Sequence, residues 1–136
     1  MYQFGPILVE EADVIDFARH YDPQPFHTDR DLAKNSVHGG LIASGWHTTC
    51  LAMRLLVDNF VSKVASIGSP GVDEIRWLKP VRPGDKLSVR VTIRDARRSR
   101  SKPDRGIITT LVEVLNQDLD IVMSMKGAGF YLCRDK

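Results

Sequence analysis

The sequence predicts an α+β fold in which a curled antiparallel sheet of about five strands wraps around one long central helix. Three observations predict it. The stretch 44–61 reads as a helix whose first ten residues lack Asp, Glu, Lys and Arg, and a helix apolar nearly all round is a buried one. Beyond Val72 the periodicity changes from helical to two, most cleanly where Leu87, Val89, Val91 and Ile93 alternate with Lys86, Ser88, Arg90, Thr92 and Arg94. Turn clusters at 79–85 and 116–118 cut this second half into strands.

The elements follow in order. A short apolar segment, 4–9, precedes an acidic helix start at Glu10, and acids in a first turn suit the helix dipole. Val14, Ile15, Phe17 and Ala18 recur at helical spacing as far as His20. Pro23 and Pro25 forbid regular helix and stiffen the loop 21–27. Thr28 reads as the N-cap of a short helix ending near Asn35, with Asp29 and Asp31 in its first turn. A Gly39-Gly40 turn leads into the long helix, where Trp46, Met53, Leu55 and Leu56 read as core and Arg54 and Asp58 fall near the end. Strands are expected over 72–78, 86–94, 106–115 and 119–125, with 130–132 extending or following the last. A sheet this size must curl to cover the helix. Pairing of its exposed edge into a dimer is the simplest cover.

Composition bounds the function. A chain of 136 residues fits one domain, and 43% hydrophobic side chains supply its core. A net charge of +2 with 26% charged residues argues against disorder and against a dedicated nucleic-acid binder. The longest stretch free of Asp, Glu, Lys and Arg, 35–53, holds His38, His47 and several glycines, so it would insert poorly into a membrane. The first twenty residues lack a basic start, so no signal peptide is expected. Cys50 and Cys133 read as two buried thiols in a reducing cytosol, with one disulfide as the alternative.

Asp22 and His27 are the strongest chemical pair, five positions apart inside the proline-stiffened loop. A carboxylate and an imidazole on rigid backbone can share one water or one substrate hydroxyl, and general acid–base work of this kind contributes about 10² to 10⁴ in rate. Asp22 could act as a base near neutrality only if burial lifted it above its ordinary value of about 3.9. Gly39, Gly40 and Gly45 lie at or just before the long helix, where backbone N–H groups could hold a developing oxyanion. His47 reads as either a substrate-facing or a core histidine. His20, His27, His38 and His47 show no metal-ligand spacing. The basic run holding Arg94, Arg97, Arg98, Arg100, Lys102 and Arg105 reads as an inter-strand loop: a solvated hairpin tip, or a contact for phosphates of a carrier such as coenzyme A.

Three stretches together, YDPQPFHTD (21–29), HGGLIAS (38–44) and PVRPGD (80–85), resemble the MaoC-like dehydratases, hot-dog-fold relatives of the (R)-specific enoyl-CoA hydratases. The resemblance runs from about Phe17 to the last strand. It implies a dimer with active sites near the subunit interface and reversible hydration of a trans-2-enoyl thioester to a 3-hydroxyacyl thioester. Asp22 and His27 fall on the family's catalytic positions. Gly39 falls on the glycine whose N–H holds the thioester carbonyl. Phe26, His38, Gly40, Ser44 and His47 would line the substrate pocket, and Arg97, Arg98, Arg100 and Lys102 would meet coenzyme A phosphates. At His47 the better-known members carry a small hydroxyl residue. No cofactor or metal is implied; the partner is an acyl-CoA or acyl-carrier thioester. Two other readings stay open: a hot-dog acyl-CoA thioesterase and a non-catalytic acyl-thioester binder. The thioesterase branch carries a carboxylate about nine residues after the histidine of HGG, where this chain has His47.

Overall fold

The computed structural model describes residues 1–134. In chain order the elements are β1 (Tyr2–Leu8), α1 (Glu11–Tyr21), α2 (Pro25–Thr28), α3 (Arg30–Lys34), α4 (Gly45–Asn59), β2 (Ser66–Trp77), β3 (Lys86–Arg98), β4 (Arg105–Leu115) and β5 (Ile121–Leu132). The five strands form one antiparallel sheet in the order β1-β3-β4-β5-β2. The sheet curls around α4 in the hot-dog arrangement. Ala52, Leu55 and Leu56 of α4 join Val14, Leu87, Val89, Val91, Val112, Val114 and Met123 in one buried cluster. The period-two reading of β3 therefore holds through Val91, and Ile93 emerges to 39% exposure beside a bulge at 93–95.

Several elements differ from the sequence reading, each for a local reason. The apolar segment 4–9 is largely strand: Phe4 pairs with Val89, and a register shift at Gly5-Pro6 hides its alternation. The strand expected at 72–78 starts earlier, at Ser66, across Ser69-Pro70-Gly71. β2 is an edge strand with a register shift between Gly68 and Gly71, and edges and bulges are where a strand tolerates proline. A single helical turn begins at Pro25, because proline fits the first helical position. Thr28 ends that turn, and Asp29 is the cap of α3, accepting the N–H groups of Asp31 and Leu32.

The largest correction concerns α4, which is buried along one face only. His47, Thr48, Ala52, Leu55 and Leu56 point inward, while Trp46 and Met53, read as core, are 55% and 50% exposed. Cys50 lies on the exposed side, so it is a free surface thiol rather than a buried one, and Cys133 is free and half-buried. Among the described residues no helix is long and apolar enough to cross a membrane.

Candidate active site

Asp22 ends α1, and its N–H donates to the Ala18 carbonyl. Three residues on, the α2 turn swings His27 back toward it. His27 Nε2 lies 3.3 Å from Asp22 Oδ2, with the imidazole 6% and the carboxylate 20% exposed. The other ring nitrogen, Nδ1, is 2.7 Å from the Ile42 carbonyl. A carbonyl only accepts, so Nδ1 carries a proton, and in the neutral ring the lone pair is on Nε2. The chain before α4 thus fixes the tautomer and aims Nε2 at the carboxylate.

Asp22 is held from two further sides. Gln24 Nε2 donates to Oδ1 at 2.6 Å, and the Ser44 hydroxyl donates to Oδ2 at 2.8 Å. Burial works to raise the Asp22 carboxyl pKa, but these two hydrogen bonds and the neighbouring His27 outweigh it, so the net direction is down. This reverses the condition set on Asp22 from sequence: the group is ionised at neutral pH. Ser44 is fully buried at the N-cap position of α4, yet its hydroxyl caps nothing there and is spent on Asp22.

A cleft of ≈ 250 Å³ opens beside His27, lined by Ile42, Ala43, Gly45, Thr48, Trp77 and Val81 among others. Trp77 forms its wall and hydrogen-bonds Thr49 through Nε1 at 3.2 Å. Gly45 faces the indole so closely that an added Cβ would sit 2.6 Å from it. Among the described residues the Gly45 N–H has no acceptor.

The remaining sequence candidates are spread more widely. Phe26 packs edge-on against His27, centroids 4.5 Å apart, and also touches His38. Gly39 has φ +68, and its N–H donates to the Ser36 carbonyl at 3.1 Å. Arg82 braces this turn from the 80–85 motif, donating to the His38 carbonyl at 2.5 Å and reaching Gly40. His47 points away from the His27 cleft. It stacks on Phe17 at 4.8 Å and borders a separate cleft with Asp13, Asp16 and His20. Its Nδ1 is buried without a partner, and burial lowers its pKa.

The basic residues lie farthest away. β3 starts next to the 80–85 turn and runs for 13 residues, about 40 Å at strand rise. Arg97, Arg98, Arg100 and Lys102 therefore sit at the end of the sheet opposite the Asp22–His27 pair and, within one chain, do not share its site.

A model of the MaoC-like domain matches residues 2–115. The chain belongs to the MaoC-like family. A MaoC-like dehydratase from Rhodospirillum rubrum is 39% identical, superposes with a TM-score of 0.89, and matches over 99% of this chain and 92% of its own. The uncharacterized protein YdeM of Bacillus subtilis is 30% identical over 86% of this chain and 82% of its own length. The (R)-hydratase from A. caviae, involved in PHA biosynthesis, shares the fold with a TM-score of 0.74 at 20% identity, over 98% of this chain and 93% of its own. Against this MaoC-like frame, Gln24, Ile42, Trp77 and Arg82 are the site residues that sequence reasoning missed. Gln24, Ile42 and Arg82 all stand inside the quoted motifs, but Ile42 acts through its backbone carbonyl, which its side chain does not signal.

Proposed function

We propose that this MaoC-like chain is a hydratase/dehydratase that adds water reversibly to a trans-2-enoyl thioester of coenzyme A. The observation that carries the reading is the Asp22–His27 pair at 3.3 Å, oriented from behind by Ile42, Gln24 and Ser44. The family membership and the R. rubrum relative support the reaction class.

The thioester enters the cleft beneath Trp77. Its carbonyl takes a backbone N–H at the tip of α4, where the helix dipole favours developing negative charge. The Gly45 N–H borders the cleft and is free among the described residues, whereas the Gly39 N–H would first give up Ser36. A water lodged against both Asp22 and His27 donates one hydrogen bond to each. Gln24 and Ser44 make Asp22 a poor base, so Nε2 of His27 takes the proton while the carboxylate orients the water. The water oxygen bonds to C3, the C2=C3 π electrons move toward the carbonyl, and the imidazolium returns its proton to C2. The sum is addition of one water. Dehydration is the same path reversed.

The working unit is a two-fold dimer. The chain exposes 8620 Å², against about 7,100 Å² expected for a 15.3 kDa monomer. Exposed Met53 and Val57 of α4 border one trough with exposed Val72 of edge strand β2, and exposed Trp46 packs against exposed Trp77 of the same strand. A second copy is the cover for an apolar face beside an open strand edge.

Crotonyl-CoA tests the reading. Loss of the enoyl absorbance without free thiol is expected. Release of thiol from an acyl-CoA would make the protein a thioesterase. Stabilisation by the thioester with no product from any enoyl-CoA would make it a binder.

A further inference from the structure

We infer that Asp85 is a positioning residue for His27, holding the Nδ1–H tautomer of the ring through two intervening peptide groups. Its effect on turnover rests on the hydratase reading; its effect on the ring does not. The contacts run in one line. The Asp85 carboxylate accepts the Arg82 N–H at 2.9 Å. That N–H belongs to the same peptide group as the Val81 carbonyl, which accepts the Ala43 N–H at 2.7 Å. The Ala43 N–H in turn shares a peptide group with the Ile42 carbonyl, which accepts the His27 Nδ1–H at 2.7 Å. Both peptides are trans, so in each the N–H and the C=O point in opposite directions within one plane and pass the alignment on. His27 thus receives from a carboxylate two peptides away what a directly bonded carboxylate gives an imidazole: a fixed tautomer and a ring aimed from its rear nitrogen. No proton moves along the line.

Two observations argue that the line does more than shape a turn. The 82–85 turn already closes through the Asp85 N–H, which donates to the Arg82 carbonyl at 3.0 Å, so the carboxylate is not what closes it. The line is also dry. Val81, Ala43, Ile42 and His27 are all 8% exposed or less. In such surroundings hydrogen bonds in a chain polarise one another, by about 10–30% per bond. Asp85 is anchored at the far end, where its Oδ1 accepts the Gln117 side-chain N–H at 3.1 Å and its carbonyl accepts the Val9 N–H at 2.8 Å.

Nitrogen NMR of the histidine-labelled full-length protein reads the tautomer directly. The chain has four histidines, and His27→Ala identifies the signal. In Asp85→Ala the Nε2–H form of His27 should gain at the expense of the Nδ1–H form. kcat for crotonyl-CoA should fall about three- to tenfold with KM unchanged, and Asp85→Asn, which keeps an acceptor oxygen, should restore most of both. A second variant breaks the line without touching the turn: lactic acid built into the chain in place of Ala43 puts an ester oxygen where the N–H was. It should move the same signal in the same direction. A ring that keeps its Nδ1–H form in full in the ester variant, or in folded Asp85→Ala, would overturn the inference. So would a fall in kcat with the tautomer unmoved, the result of a merely structural turn. Absence of crotonyl-CoA turnover in the wild type would remove the hydratase reading, while the tautomer of the resting protein still decides the positioning role.

Discussion

The two ends of α4 are built to opposite specifications. At the N-terminal end, polar side chains are buried and tied down: Ser44, His27 and Thr48 are all below 6% exposure, and Ser44 and His27 hydrogen-bond to Asp22 and Ile42. Toward the C-terminal end, Met53, Leu56, Val57 and Phe60 border an apolar trough of ≈ 300 Å³ with Val72 and Met125, open at the chain surface. Polar burial is costly unless every group is satisfied, so it is concentrated where orientation matters. Apolar exposure is costly in a free chain and harmless once covered, so this end suits the face that the proposed second copy would cover. The contrast separates an end whose buried groups are held within one chain from an end whose apolar surface is left open by it.

The sharpest way to break that contrast is to empty the polar end. Asp22→Asn and His27→Ala should each lower kcat about 10²-fold or more, with circular dichroism and oligomeric state unchanged. Near-normal turnover in either would remove the pair from the chemistry.

Ser44→Ala asks how much the tying-down contributes. Loss of one donor lifts the Asp22 pKa toward its ordinary range. The acid limb of the pH–rate profile should move to higher pH and kcat should fall about tenfold, one interaction's worth. An unmoved limb would show that Ser44 is only packed against Asp22.

Gly45→Ala probes the cleft wall. The added methyl meets the Trp77 indole at 2.6 Å, so the indole must shift. Overpacking of this kind costs about 1–3 kcal/mol, read as a lower Tm and a narrowed cleft. An unchanged Tm would show that the wall yields freely.

His47 gives the smallest effect. Burial lowers its pKa, with Asp13 pulling weakly the other way, while the unfolded value is about 6.5. Between the two values the unfolded chain binds more protons, so stability rises with pH there and is level above about 7. Acidification from pH 7.5 to 5.5 should lower Tm in the wild type and lower it less in His47→Leu. Equal acid sensitivity would show that the ring is not the responsible group.

Which parts were legible in the sequence follows the same division. The Asp22–His27 pair was readable because both residues and the prolines that position them lie within seven positions. β3 was readable because one face is core and the other is not. The Ile42 carbonyl, Trp77 and the occupied Gly39 N–H were not readable. They depend on contacts between distant segments, and a backbone carbonyl has no side-chain signature. The exposure of Trp46 and Met53 was misread because an apolar side chain left at the surface has the same composition signature as one in a core. The basic run was read as a loop, but Arg94, Arg97 and Arg98 lie in β3 and Arg105 starts β4, leaving only Arg100 and Lys102 in the connection; its distance from the pair became visible only with strand register.

A double-mutant cycle on kcat tests the central claim, joint action of Asp22 and His27 on one water, most directly. If the two groups work as a unit, Asp22→Asn/His27→Ala turns over no more slowly than the worse single variant. Losses that multiply would mean that the two side chains act independently.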